Sequence, residues 1–423
     1  MAKPDAGSSK TASQEPTRGE RMLALRKARM AASPPILRGG FRPFFFLGSA
    51  WAALALAVWI AAFVAGTPLP SAFDALSWHR HEMLFGFVGA IVAGFLLTAI
   101  PNWTGRLPIA GAPLAALAGL WVAARIALYF SGSFSGSLGL ALAALLDVGF
   151  YLVFAFVAGR EVLAAKNRNL PLVALVLLFG LANAADYAGV AGALAYREAG
   201  VRAGIALVVM IISLVGGRIV PSFTRNWMSK QGWTEGLPGQ PSRFDQLVLA
   251  ATGLAMLAWL FAPGAHATGA MLVVAGLLQL VRLARWRGWR TARDPLVLVL
   301  HVGYLWVPVG LLLLGASLLH DEIPRTAAIH ALTAGAMATM ILAVMTRATL
   351  GHTGRELRAN KATAAIYILI TLAALVRVAA PLGLVGYRAG MEAAGGLWIA
   401  AFVVFLLAYG PILFRSRVGD PSQ

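Results

Sequence analysis

Apolar residues run in blocks of about twenty, broken by short polar loops, and the pattern recurs along nearly the whole chain. A helix rises 1.5 Å per residue, so about twenty apolar residues cross the hydrocarbon core of a bilayer. About twelve spans are predicted, over 43–65, 78–100, 109–130, 137–158, 171–191, 200–220, 245–263, 266–284, 295–317, 326–348, 362–380 and 391–413. The fold class that follows is an all-α membrane protein. Residues 1–35 are polar and basic, and predict a disordered cytoplasmic tail; 36–415 hold the spans, and 416–423 form a short second tail.

Two spans repeat one another. His81 to Arg106 and His330 to Arg355 align without a gap over 26 residues. Each opens on histidine, places glycine five residues later (Gly86, Gly335) and ends on Thr-Gly-Arg. Span six ends on Pro221-Ser222-Phe223-Thr224-Arg225, close to Pro101-Asn102-Trp103-Thr104-Gly105 at the end of span two. Spans two, six and ten would then head three pseudo-repeats of four helices. The middle copy has Val201 in place of the histidine.

Composition supports the membrane assignment: 59% of residues are hydrophobic and 12% charged, against about 25% charged in soluble domains. The formal charge of +18 does not call for nucleic acid. Its Lys and Arg residues gather in the N-terminal tail and in alternate loops, such as Arg160, Lys166 and Arg168, or Arg285, Arg287, Arg290 and Arg293. By the positive-inside rule both termini are cytoplasmic. There is no cysteine, which excludes disulfides, cysteine-ligated clusters and covalently attached haem.

Histidine is the remaining candidate chemistry. His266 and His320 fall in outward loops. His79, His81 and His330 lie at the outer mouths of spans two and ten. On a helix His79 shares a face with Glu82, Met83 and Gly86, whereas His81 points about 160° away. The two histidines should therefore serve different partners. Imidazoles at equal depth suit bis-histidine haem, or copper with Met and His ligands; hydrogen bonding to loop carbonyls is the alternative. Asp147 and Arg125 lie inside neighbouring spans that could pair them, since an unpaired buried charge would be expensive. With haem in the outer cluster, Arg125 and Arg377 would hold its propionates, or simply snorkel. At the opposite face His301 is a separate metal candidate. Asn102, Trp103, Arg106, Arg218, Arg225, Arg347, His352 and Arg355 form an inner polar cluster there, either a vestibule or a set of helix-end anchors.

The stretches Gly40-Phe41-Arg42-Pro43-Phe44-Phe45, Trp78-His79-Arg80-His81-Glu82-Met83, Gly94 through Gly105 and His330 through Arg355 resemble the NnrS family of bacterial membrane proteins. The resemblance covers about residues 36–415. It implies a twelve-helix protein of the bacterial inner membrane that contains haem and copper and acts in denitrification and nitric oxide tolerance. With no cysteine, that haem would be non-covalent and b-type. On this reading His81 and His330 hold haem, and His79, Glu82 and Met83 form a copper site or support one. A redox enzyme acting on nitric oxide, with an unidentified electron donor, and a transporter of copper, haem or an anion are the alternatives. By analogy, haem–copper oxidase catalytic subunits also place haem histidines on their second and tenth helices. The missing middle histidine departs from that pattern.

Overall fold

A computed structural model describes residues 17–194 and 197–419. Every regular element among them is helical. Twelve helices are long and apolar enough to cross a membrane: Phe41–Ala65, Ala75–Thr104, Ala112–Tyr129, Leu138–Ala164, Leu170–Val190, Ala199–Lys230, Arg243–Phe261, His266–Ala284, Pro295–Leu319, Arg325–His352, Lys361–Ala379 and Tyr387–Leu413. They are spans one to twelve in chain order and overlap the apolar blocks, because a bilayer-spanning helix must satisfy its own backbone; span six runs ten residues past its predicted end, to Lys230.

Polar side chains set where several spans begin. Asp74 accepts the Ser77 amide at 2.9 Å and starts span two. Ser242 and Asp245 form a reciprocal capping box on span seven. Asn360 accepts the Thr363 amide at 2.9 Å ahead of span eleven. The N-terminal tail is a correction to the sequence reading. Arg18–Ala32 is helical, because Thr17 and Glu20 exchange cap hydrogen bonds ahead of a run rich in strong helix formers. The expectation for 1–16 lies outside the described residues.

Spans two, nine and ten are the most enclosed, while spans four and seven are the most exposed on their outer faces. The end of the bundle that carries Phe41 also carries the C-terminal end of span twelve: Arg42 Nη1 donates to the carbonyls of Leu413 and Arg415, both at 2.7 Å. The even-numbered spans run back from the far end, so His79, His81 and His330 all enter the bundle there. Spans two, six and ten each switch from α- to π-helix, over Glu82–Val88, Ile212–Gly216 and Ala331–Met337.

Candidate functional site

The far half of the bundle contains a cavity of about 540 Å³ between spans one, two, six, ten, eleven and twelve. His79 and His330 both line it. The His79 ring lies on the indole of Trp59, with centroids 4.2 Å apart and planes 24° from parallel. Its Nδ1 is buried and has no hydrogen-bond partner. His330 Nδ1 lies 2.7 Å from the carbonyl oxygen of Thr326, one turn back on its own helix. A carbonyl only accepts, so Nδ1 carries the proton, and Nε2 of the neutral ring is left with its lone pair. Backbone carbonyls commonly orient metal-binding imidazoles in this way.

The remaining walls are mainly aliphatic and aromatic, with Leu56, Ile60, Phe87 and Trp398 among them. Three methionines, Met83, Met337 and Met391, also reach the cavity. Its charged rim consists of Arg80, Glu198, Arg325 and Arg377. Arg80 Nη1 donates to Glu198 Oε1 at 2.7 Å, tying span two to span six. That hydrogen bond and the nearby Arg80 and Arg202 charges hold the Glu198 carboxyl below its ordinary range. Arg377 Nη1 is buried without a partner. An arginine whose donors face a cavity is suited to a carboxylate or phosphate.

His81 belongs elsewhere, and this corrects the ligand pair expected from sequence. Its ring is fully buried; Nδ1 lies 2.7 Å from Asp186 Oδ2 and Nε2 lies 2.8 Å from Asp147 Oδ2. With both ring nitrogens held by carboxylates, no lone pair remains for a metal. Glu82 is likewise turned away from His79. Its Oε2 accepts from Trp51 Nε1 and from Arg125 Nη1, each at 2.7 Å. Arg125 also pairs with Asp147, so the anticipated Asp147–Arg125 pairing is present. The same pairing takes Arg125 out of the set that could hold a propionate. Asn183 and Tyr187 add donors to Asp147 Oδ2, at 3.0 and 3.3 Å. The result is a buried network of alternating charge across spans two to five. An ionised group inside a bilayer is tolerated only when paired in this manner.

Among the described residues no cluster of three or more His, Asp or Glu is arranged to hold a metal. A copper site built from His79, Glu82 and Met83 is therefore not assembled, since only His79 and Met83 face the cavity. His301 lies near the opposite end, with Nε2 2.7 Å from Thr224 Oγ1, and takes no part.

The inner polar cluster does not converge. Arg106 pairs with Glu161. Asn102 and Arg218 are exposed. The Trp103 carbonyl accepts from Asn167 Nδ2 at 2.6 Å, and Arg225 Nε donates to Pro238 O at 3.0 Å. Arg347 lies over the Phe223 ring at 4.1 Å, and His352 rests against Phe41 at 5.5 Å. Arg355 Nη1 donates to the Thr353 carbonyl, at 3.4 Å. These are separate helix-end anchors rather than a vestibule.

Asp186, Trp59 and the Arg80–Glu198 pair are absent from the sequence reading. Asp186 carried a signal, because an acidic residue within an apolar span is costly unless paired. Trp59 carried none, since a tryptophan in a span reads equally well as lipid-facing.

No curated protein matches the chain. The family model for the NnrS protein matches residues 35–417 of the 423. The matched region takes in all twelve spans, the histidine-lined cavity and the buried charge network, so the chain belongs to the NnrS family and is a membrane protein related to nitric oxide.

Proposed function

We propose that this chain binds haem in the far-half cavity, where His79 and His330 would hold it, and handles nitric oxide there. The observation that carries this reading is the pair of imidazoles facing one cavity, each with a ring nitrogen left available. The cavity volume lies within the usual range for cofactor sites, about 300–1,000 Å³. Its walls are apolar, as a porphyrin face requires, and its arginines sit on the rim, where propionates would emerge. Bound haem would supply an iron centre able to bind nitric oxide.

The chain's own residues set the conditions for that chemistry. Trp59 fixes the plane of the His79 ring, and the Thr326 carbonyl fixes the tautomer of His330. Phe87 and Trp398 keep water from the apolar wall. Arg325 and Arg377 offer positive charge to carboxylates, while Glu198 holds Arg80 in place. The loop charges support an inner-membrane placement with cytoplasmic termini, so the cavity would open outward.

Purified protein is expected to show a bis-histidine Soret and α-band spectrum that disappears in His79→Ala and in His330→Ala. An unchanged spectrum in both variants would sink the ligand assignment. A second reading rests on the three thioethers beside the same imidazoles: Met83, Met337 and Met391 suit cuprous copper. Stoichiometric copper in metal analysis, without a Soret band, would favour it.

A further inference from the structure

The three π-helical stretches meet at one place. Val88 ends the first, Ile212, Val215 and Gly216 belong to the second, and Met337 ends the third. All five border a second, smaller cavity of about 100 Å³, only partly enclosed, between spans two, five, six and ten. A π-turn widens the helix and breaks its regular packing, and such turns are frequent at functional sites. Three of them border this one partly enclosed apolar space.

The chemistry of the void is uniform. Each residue that lines it is apolar: Val, Ile, Leu, Phe, Met or Gly. Water needs two to four polar partners to occupy a cavity, and apolar cavities of about 150 Å³ stay dry yet take up xenon or benzene. An ion or proton would meet no ligand here and would bear the full cost of desolvation. A small, uncharged, apolar molecule has neither difficulty.

The position of the void is equally specific. Val88 and Met337 line both this cavity and the larger one that holds His79 and His330. These two side chains are the partition between the cavities. Met337 is unbranched, with three rotatable side-chain bonds, and can swing aside at low cost.

We infer that the smaller cavity is a holding site and route for a small uncharged diatomic molecule, which passes Val88 and Met337 to reach the histidine-lined cavity. The destination rests on the proposed haem site; the holding site does not. Crystals of the full chain pressurised with xenon are expected to show xenon between spans two, six and ten. Ile341→Phe and Val92→Phe, which fill the void, should each exclude it, and the near-isosteric Ile341→Leu should retain it. Absence of xenon from the wild-type void overturns the inference.

In haem-loaded protein, carbon monoxide rebinding after photolysis should slow by about tenfold in the two filled variants, with an unchanged absorption spectrum. Equal rebinding rates in wild type and both variants overturn the route. A chain that binds no haem instead overturns the earlier proposal, and xenon occupancy then decides the holding site by itself.

Discussion

His79 and His81 are two residues apart and do unrelated work. At about 100° per residue their side chains point to opposite sides of span two. One faces the cavity and the other a pair of aspartates. The divergence was legible in the sequence; the choice of ligand was not, because it depends on Asp147 and Asp186, which are distant in the chain. The two residues should therefore fail differently. His81→Ala leaves two carboxylates without their partner, and loss of one member of a buried ion pair costs about 3–5 kcal/mol. It should lower the thermal midpoint sharply in detergent. In haem-free protein, His330→Ala removes a half-buried ring whose own hydrogen bond is to its own helix, so its midpoint should stay near that of haem-free wild type. Equal loss of stability in both would contradict this division.

Glu198 adds a residue-scale pH dependence. Its carboxyl is held low in the folded protein by Arg80. A depressed carboxylate contributes stability above its unfolded value, and that stability is lost as pH falls through the folded one. The Arg80–Glu198 brace should thus be intact at neutral pH and released below about pH 4, under the ordinary carboxylate value. Both partners are partly exposed, so the effect is small. Thermal midpoints of wild type and Glu198→Gln should differ at pH 7 and converge at acid pH. A constant gap would remove the brace from the account.

At the scale of the element, the match between spans two and ten marks shared local physics. Gly105 and Gly354, in the two Thr-Gly-Arg ends, both adopt positive φ (66° and 72°), which a side chain would oppose. The threonines before them bond four residues back, Thr104 to Ile100 O at 2.7 Å and Thr353 to Thr349 O at 2.6 Å. Thr224 in span six does the same to Val220 O at 2.9 Å. The π-stretches of spans two and ten begin immediately after His81 and His330. In span six the π-stretch begins at Ile212, well beyond Val201, so the third copy shares the end of the pattern and not its start.

The matched glycines are both close approaches, but to different things. A Cβ on Gly86 would strike the Glu82 carboxylate and lie 2.8 Å from Arg125 Nη1. A Cβ on Gly335 would lie 2.5 Å from the Trp306 ring. Gly86→Ala should displace the Arg125–Glu82 pair, at a cost of about 1–3 kcal/mol for overpacking. Chemical unfolding in mixed micelles can test this. No loss on substituting Gly86 would mean that the network shifts without strain.

At the scale of the whole molecule, the bundle encloses its charges in separate compartments. One network joins spans two to five through Arg125. Another joins spans six to nine, where Arg282 reaches Asp245, the Ser213 carbonyl and Tyr304. The start of span one and the end of span twelve are joined by Arg42. Arg42→Leu leaves the Leu413 and Arg415 carbonyls without that donor. It should expose the C-terminal end of span twelve to limited proteolysis while leaving any cavity-bound chromophore intact. Unchanged cleavage would show that packing alone holds the two ends together.

The sequence by itself determined the number of spans, their approximate positions and the end at which the histidines enter. Those features depend on local chain properties, namely apolar length and helical period. It also offered Asp147 as a partner for Arg125, because an isolated charge in a bilayer is costly; the structure makes that pair. Only the tertiary structure decided which histidine is free. Hydrogen bonds from Asp147 and Asp186 claim His81, whereas Trp59 and the Thr326 carbonyl leave His79 and His330 facing one cavity. Whether a ring nitrogen keeps its lone pair is set by contacts between distant spans, and no pattern along one helix records them.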